Sequence, residues 1–534
     1  MSQPRSHLPT HSVDNQPAAP GDRDLWASDP VLRSCVPDAP DVAQYGAALG
    51  HADIRAAGRE ANRHAPELHL FDTGGRRLDE VRFHPAYHQM MTLSQEAGYA
   101  ATAWTNGSHL EHAAMVYLAS QVEPGHCCPM TMTYAAVPAL QADTALAAEW
   151  TPKLTARAYD PRALPLAQKA SATLGMAMTE KQGGSDVRAN STTAVRDGDH
   201  WRLRGHKWFC SAPMSDGFLT LAQAPGGLTC FLVPRWLEGA RNAIHLMRLK
   251  DKLGNKSNAS SEIEYHDALA HQLGDEGRGV QTIIEMVHHT RLDTAIAPAG
   301  LMRGALVEAM HWVRHRRAFQ KKLIDQPLMR AVLADLMLDW EGATRLGLHV
   351  ARAFDGSGVE DRALARVSVA LAKFLNNKLC PRVTYEAMEA MGGTGYVEDT
   401  AMPLYYREAP LNGIWEGSGN VICLDIQRTL AREPLAAEML RTELKTAAGS
   451  DRRYDAALAN HLALWPGLPN EAEARFYAER TALLLTASVL IRTAAPAVAD
   501  SYVGSRLEQA RGHVAGAVNG LDTAAILSAF DPQA

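Results

Sequence analysis

A chain of 534 residues exceeds what one hydrophobic core usually serves, so two to four packed units are expected. With 46% apolar and 21% charged residues the composition is that of an ordinary globular protein, which excludes fibrous and disordered classes. The net charge of −6 exerts no overall pull on nucleic acid or anionic lipid, so any such partner must find a local patch.

Residues 1–50 are rich in Pro, Asp and His with weak periodicity and read as an irregular arm. The opening segment lacks the apolar run of a secretory leader, and seven scattered cysteines suit a reducing compartment, so a cytoplasmic protein is expected. From 51 to 170 the pattern is mainly helical. His84 to Tyr99, and Gly107 to Val122, carry apolar residues three and four apart. Cys127 and Cys128 read as buried thiols rather than a redox pair.

The texture changes near Ser171. From 171 to 275 short alternating runs, among them Trp201 to Arg204 and Glu262 to Tyr265, are separated by turns such as Asp197-Gly198-Asp199 and Pro225-Gly226-Gly227. Phe218 to Ala222 and Thr229 to Val233 are short apolar strands of the same unit, a small β domain. From 276 to 432 long amphipathic helices return as a bundle. Pro381 is expected to kink or divide the third of them, and Gly392-Gly393 to stop it. Residues 433–534 read as one further helical domain. Its apolar stretch, Thr481 to Ile491, falls short of the roughly 18 residues that a bilayer span needs and reads as a buried helix, so no membrane partner is expected.

Three segments carry chemistry. In Met178-Thr179-Glu180-Lys181-Gln182-Gly183-Gly184-Ser185-Asp186, adjacent glycines flanked by hydroxyls let backbone amides approach an anionic or carbonyl-rich ligand. Phe209-Cys210-Ser211 places an aromatic and a hydroxyl on a strand. Ile414-Trp415-Glu416-Gly417-Ser418-Gly419-Asn420 sets a carboxylate beside an aromatic and before small residues. A wide ring system needs such an aromatic wall, polar partners and a gap free of bulk.

In these motifs the chain resembles the acyl-CoA dehydrogenase family, over about 170 to 430. Met178 to Asp186 is similar to the family's Thr-Glu-x-x-Gly-Ser-Asp signature. Gly392 to Tyr396, reaching Arg407, is similar to its second signature, and Trp415-Glu416-Gly417 to its Tyr-Glu-Gly. The arm, the Lys181-Gln182 pair and the extra C-terminal domain most resemble the AidB-type alkylation-response branch. The fold implied is α+β and acyl-CoA dehydrogenase-like: an N-terminal helical domain, a middle β-barrel-like domain, a C-terminal helical bundle and an appended helical domain.

The resemblance implies FAD as cofactor. Met178, Thr179, Gly183, Gly184 and Ser185 would bind it, Thr179 and Ser185 bonding the flavin or its phosphates. Phe209, Cys210 and Ser211 would line it, with Phe209 and Ser211 against the isoalloxazine. Ile414, Trp415, Gly417, Ser418, Gly419 and Asn420 complete the cofactor set. Arg316 would reach the FAD pyrophosphate of a neighbouring subunit, and Gly392 and Gly393 the adenosine half across a dimer interface, so a homotetramer is implied. Glu416 matches the base that removes the α-proton of an acyl-CoA thioester. Some branches place that base just before a helix arginine; here that residue is Thr290, before Arg291, and threonine cannot serve. The sequence departs from the family where Phe209-Cys210-Ser211 replaces Trp-Ile-Thr and where Trp415 replaces Tyr. Aromatic and hydroxyl character survive, and the bulkier Trp415 is expected to narrow the acyl pocket.

Other motifs carry less. Gly393-Thr394-Gly395 follows a helix, not a strand, and is not a dinucleotide loop. His288-His289 and His311 with His315 lack acidic or thiol partners at ligand spacing, so no metal is expected. The basic run Arg314, Arg316, Arg317, Lys321, Lys322 suits FAD pyrophosphate better than DNA. The resemblance also implies double-stranded DNA as an alternative partner, with Arg428, Arg441, Arg452 and Arg453 as local candidates. Residues 432–534 nevertheless hold ten Lys/Arg against twelve Asp/Glu, so folding or assembly must build any phosphate-binding face. Two functions follow: an FAD-dependent dehydrogenase with Glu416 as base, or a DNA-protecting protein that binds FAD with little turnover.

Overall fold

The computed structural model describes residues 4–508 and 511–531. The arm runs without regular structure to Asp29 and then turns helical, as α1 (Pro30–Cys35) and α2 (Pro40–Leu49). This corrects the reading of residues 1–50 as irregular throughout, and residues 1–3 of that arm lie outside the described ones. The Asp29 carboxylate accepts from Leu32 N at the start of α1, with Pro30 at the first helical position. Asp29 is buried, where it accepts from Tyr117 Oη at 2.7 Å and pairs with Arg303 at 3.3 Å. Six residues are too few to show a helical period, which hid α1.

After α3 (Ala52–Arg63) a hairpin of β1 (Glu67–Phe71) and β2 (Arg77–Arg82) interrupts the helices. The sequence reading missed it. Then come α4 (Pro85–Ala97), α5 (His109–Ser120), α6 (Cys127–Leu140) and α7 (Thr144–Leu154).

The β domain holds β3 (Leu174–Ala177), β4 (Thr193–Asp197), β5 (His200–Ser211), β6 (Gly217–Ala224) and β7 (Gly227–Pro234). The short pair β8 (Trp236–Leu237) and β9 (Ala240–Arg241) leads to β10 (Ile244–Leu249) and β11 (Ser260–Leu273). Strand β11 pairs with both β5 and β7, β5 with β4, β4 with β6, and β6 with β7. Those five strands close on themselves as a barrel, with β10 and β3 added outside the ring. Trp201, Leu203, Cys210, Phe218, Phe231, Ile263 and Tyr265 fill it, forming a core separate from that of the helices.

Three long helices follow: α8 (Gly279–His315), α9 (Pro327–Asp355) and α10 (Val359–Ala390), with the small β12 (Arg317–Ala318) and β13 (Lys321–Lys322) between the first two. Pro381 does not divide α10, which runs unbroken through it. The Thr384 hydroxyl donates to the carbonyl of Cys380 at 2.9 Å across that turn, and neighbouring helices hold the segment. The chain continues through α11 (Met402–Glu408), α12 (Gly419–Arg432), α13 (Pro434–Lys445), α14 (Arg452–Leu464), α15 (Ala474–Thr493), α16 (Pro496–Tyr502) and α17 (Thr523–Phe530). Leu440, Leu444, Leu484 and Leu485 of the appended helices share one continuous core with α8, α9 and α10. No helix among the described residues is long and apolar enough to cross a membrane.

Candidate functional site: the Glu416 turn and the open glycine loops

Glu416 lies in the turn between α11 and α12, with φ at 55°, and Gly417 follows at 101°. A left-handed backbone at a non-glycine residue costs roughly 1–3 kcal/mol, so the surroundings must hold it. They do so from two helices. On α8, Thr290 Oγ1 donates to Glu416 Oε2 at 2.8 Å and Arg291 Nε donates to the Glu416 carbonyl at 3.3 Å. On α10, Lys373 Nζ donates to the carbonyls of Asn412 at 2.9 Å and Gly417 at 2.8 Å. Arg291 is itself fixed, since its Nη1 meets Asp425 at 2.7 Å and Arg366 clasps the same carboxylate with two bonds of 2.9 Å.

Burial pushes the Glu416 carboxyl above its ordinary range, while the Thr290 hydrogen bond and the Arg291 and Lys373 charges oppose the shift. Burial lowers Lys373 to about 7, against the pull of Glu416. The indole of Trp415 is not free to swing, because its Nε1 donates to Asn412 Oδ1 at 2.6 Å.

The Met178–Asp186 segment leaves β3 and is anchored by Glu180, to which the sequence reading gave no role. Glu180 is fully buried and accepts from Ser191 N, Thr192 Oγ1 and Lys207 Nζ at 2.6, 2.6 and 2.9 Å. Burial opposes its ionisation, but the Lys207 charge and these hydrogen bonds outweigh it and hold Glu180 at about 2. Trp208 N donates to the Thr179 carbonyl at 2.7 Å, which docks the loop on β5. Beyond this anchor the loop is open: Gly183 has φ at 139°, and a Cβ there would meet nothing within 4 Å. Gly184 is different, since its Cβ would strike Thr179 Oγ1 at 2.5 Å.

On β5 the two-residue period of a strand separates the predicted trio. Phe209 is 47% exposed and Ser211 is half-buried, while Cys210 points into the barrel core. The Cys210 side chain is therefore not part of the open face, and burial pushes its thiol up to about 12. Ser211 stands opposite Ser260 on β11, and Lys252 Nζ donates to Ser260 Oγ at 3.0 Å. Cys128, on α6, joins the two halves. Its thiol meets Ser211 and Asn258 and lies within reach of the Lys252 and Glu416 charges, with burial the largest influence on it, raising it to about 11. Nothing in the spacing of Cys128, Lys252 or Lys373 marked them as neighbours of Glu416.

The remaining predicted residues are dispersed. Gly392 and Gly393 end α10 with open space where a Cβ would lie, and Gly392 has φ at 60°. Ile414 and Ser418 are exposed, and Gly419 begins α12. Asn420 is engaged by Arg475 at 2.8 Å. Arg316 donates to the Asn15 carbonyl of the arm at 2.6 Å. Among the arginines, Arg428 is 61% exposed and Arg441 and Arg452 are exposed, but Arg453 is locked between Asp451 at 2.6 Å and Asp500 at 2.7 Å. His289 is buried among Trp104, Tyr134 and Phe354, and no cluster able to hold a metal occurs among the described residues.

The cradle fits FAD, the cofactor that the motifs imply. Gly183, Gly392 and Gly393 leave the backbone bare for close approach, and Phe209 presents a half-exposed ring with the Lys250 ammonium 4.8 Å from its centroid.

Comparison with known proteins agrees along the chain. Residues 15–161 match the N-terminal domain of the adaptive response protein AidB. Residues 175–268 match the acyl-CoA dehydrogenase middle domain, and residues 277–431 its C-terminal domain. The chain is 43% identical to AidB of Escherichia coli (strain K12), covering 93% of this chain and 94% of that one. Among solved structures, Caenorhabditis elegans ACDH-11 in complex with C11-CoA superposes with a TM-score of 0.82 at 27% identity, covering 98% of this chain and 93% of that one. The apo form of Bd2924 gives 0.80 at 28% identity over 91% of this chain and 99% of that one. The closed barrel between helical domains and these matches together show that the chain belongs to the acyl-CoA dehydrogenase family of FAD-containing oxidoreductases acting on CH–CH bonds, in its AidB-type branch.

Proposed function

We propose that the chain oxidises an acyl-CoA thioester between its α and β carbons, with Glu416 as the base. FAD, when bound, supplies the acceptor for the hydride that leaves the β carbon. Glu416 takes the α-proton on its carboxylate as the C–H bond breaks, and the product is the α,β-unsaturated thioester. The observation that carries this reading is the Glu416 carboxylate itself. One oxygen is held by Thr290 while burial raises its pKa toward neutrality, as a general base for a weak carbon acid requires. The C11-CoA complex of the related ACDH-11 supports a thioester as the substrate class. Trp415, pinned to Asn412 beside Glu416, would narrow an acyl pocket on that side, which supports a slim substrate.

Anaerobic titration of the FAD-loaded protein with acyl-CoA thioesters of graded length tests this. Bleaching of the flavin by one length, lost in Glu416→Gln without loss of FAD, supports the reading. A flavin that no thioester bleaches, or a Glu416→Gln variant that bleaches normally, overturns it.

The same reading assembles the chain as a homotetramer, with Arg316 serving a neighbour's FAD. Phe319, 92% exposed at the tip of the turn that follows Arg316, supports a surface built to be covered. Light scattering of the holoprotein decides between tetramer and monomer. Duplex DNA is the alternative partner, supported by the exposed guanidiniums of Arg428, Arg441 and Arg452. Binding that weakens steeply with salt and falls in Arg428→Ala favours it, and binding insensitive to salt excludes phosphate recognition.

A further inference from the structure

Lys373 is a buried lysine that pairs with no carboxylate within ion-pair reach among the described residues. Its ammonium is spent on two backbone carbonyls, those of Asn412 and Gly417, which bracket Trp415 and Glu416. A carbonyl pair of this kind is an unusual destination for a buried cation, which normally finds an anion. The arrangement closes the base turn like a clip across its two ends and holds the left-handed backbone of Glu416 between them.

The charge has a destination as well. Glu416 is the anion whose field reaches Lys373, and Arg291 and Lys378 are the cations that face it. Around Glu416 stand Thr290, Arg291 and Lys373, with Cys128 facing it from α6. Arg291 is already matched by Asp425, which also holds Arg366. Lys373 is therefore the cation beside the base whose charge no other carboxylate cancels.

We propose that Lys373 is the positioning residue of the Glu416 base, clamping its turn through two carbonyls and setting its ionisation through an otherwise unmatched charge. The inference rests on the reading of Glu416 as the base. It also accounts for two opposed demands on one side chain. Burial raises the Glu416 carboxyl, and the ammonium of Lys373 opposes that rise beside the Thr290 hydrogen bond and the Arg291 charge, without a salt bridge that would block the carboxylate. Once Glu416 has taken the substrate proton, Lys373 loses its counter-charge while remaining buried, so the two groups titrate as a coupled pair.

The test compares wild type, Lys373→Met and Lys373→Arg as FAD-loaded proteins. The Glu416 carboxylate is titrated by infrared difference spectroscopy, with Glu416→Gln in each background identifying its band. The expected result is a midpoint raised by about one pH unit or more in Lys373→Met and close to wild type in Lys373→Arg. The acidic limb of flavin bleaching by acyl-CoA should move by the same amount, with kcat falling more than KM rises. If Lys373→Met does not retain FAD, Lys373→Gln, which keeps a donor but no charge, takes its place. A Glu416 midpoint that stays put in a folded neutral variant, or that moves as far in Lys373→Arg, overturns the inference. Because the infrared titration needs no turnover, it judges Lys373 even if no thioester bleaches the wild-type flavin, which would sink the dehydrogenase reading alone.

Discussion

The hydroxyl of Thr290 donates a 2.8 Å hydrogen bond to Glu416 Oε2, so the residue preceding Arg291 is a partner of the carboxylate at the base position. Two positions that the sequence presents as rival seats for one carboxylate thus meet in space, 126 residues apart in the chain.

That contact stabilises the ionised carboxylate, and a hydrogen bond to a charged group is worth about 1.5–3 kcal/mol. Thr290→Val should therefore raise the Glu416 pKa by roughly one unit or more. The acidic limb of flavin reduction should move up in pH by the same amount, and the rate should recover toward wild type as the pH rises. A pH-independent loss would instead mean that Thr290 contacts the substrate.

Gly393 separates cofactor binding from folding. A Cβ there meets nothing in the protein. Gly393→Val should leave the melting temperature of the FAD-free protein within the small range of an exposed substitution, about 0.5 kcal/mol. Its FAD dissociation constant, measured by fluorescence, should rise by about tenfold, a cost of about 1.4 kcal/mol. Unchanged affinity would remove this turn from the cofactor site.

Glu408 should make stability depend on pH. It is fully buried, and burial, aided by the nearby Glu123, raises it to about 7 against hydrogen bonds from Asn255 N and Nδ2. Between its ordinary 4.5 and 7 the folded protein keeps a proton that the unfolded chain has released. Its contribution is thus full below pH 4.5 and lost as pH rises through 7, at on the order of 1 kcal/mol per unit. Glu408→Gln cannot ionise, so its melting temperature relative to wild type should climb from pH 5 to pH 8. A constant difference across that range would contradict the assignment.

Arg453 and Arg428 should part company. Arg453 is clamped by Asp451 and Asp500 at the start of α14, so Arg453→Ala should lower the melting temperature and leave any duplex binding unchanged. Arg428→Ala should do the reverse, because its guanidinium is exposed and only 4.0 Å from Asp425 at best. Calorimetry beside a salt-dependent binding isotherm separates the two.

Much of this molecule is legible in its sequence, because long periodic elements advertise themselves. The bundle helices, the alternating strands of the barrel and the Met178–Asp186 and Trp415-Glu416-Gly417 motifs all fall where the pattern puts them. Short or interrupted elements do not: α1 spans less than two turns, and the β1–β2 hairpin is flanked by helical periodicity. Pro381 does not divide α10, because tertiary packing overrides that part of its local preference. The support of the site is the least legible. Glu180 and Lys207 are 27 residues apart and Lys373 and Gly417 are 44 apart, and a lysine in a helix ordinarily reads as solvent-facing. Cys210 was separable in principle, since strand alternation turns it away from Phe209 and Ser211.

The two apolar cores meet along the wall of the barrel. The appended helices from α13 onward share one core with the bundle, so cutting the chain after Arg432 would strip packing from α9 and α10 rather than release a tethered module. Because α10 also carries Lys373, whatever grips the appended helices loads the same rod that clips the base turn. The barrel encloses its own interior, but its outer wall does not stand apart: Leu219, Leu221, Leu232 and Leu273 of β6, β7 and β11 pack into the helical core. On heating, the helical domains should therefore melt together with the barrel wall that packs on them, so that calorimetry would resolve a single step rather than one for each core.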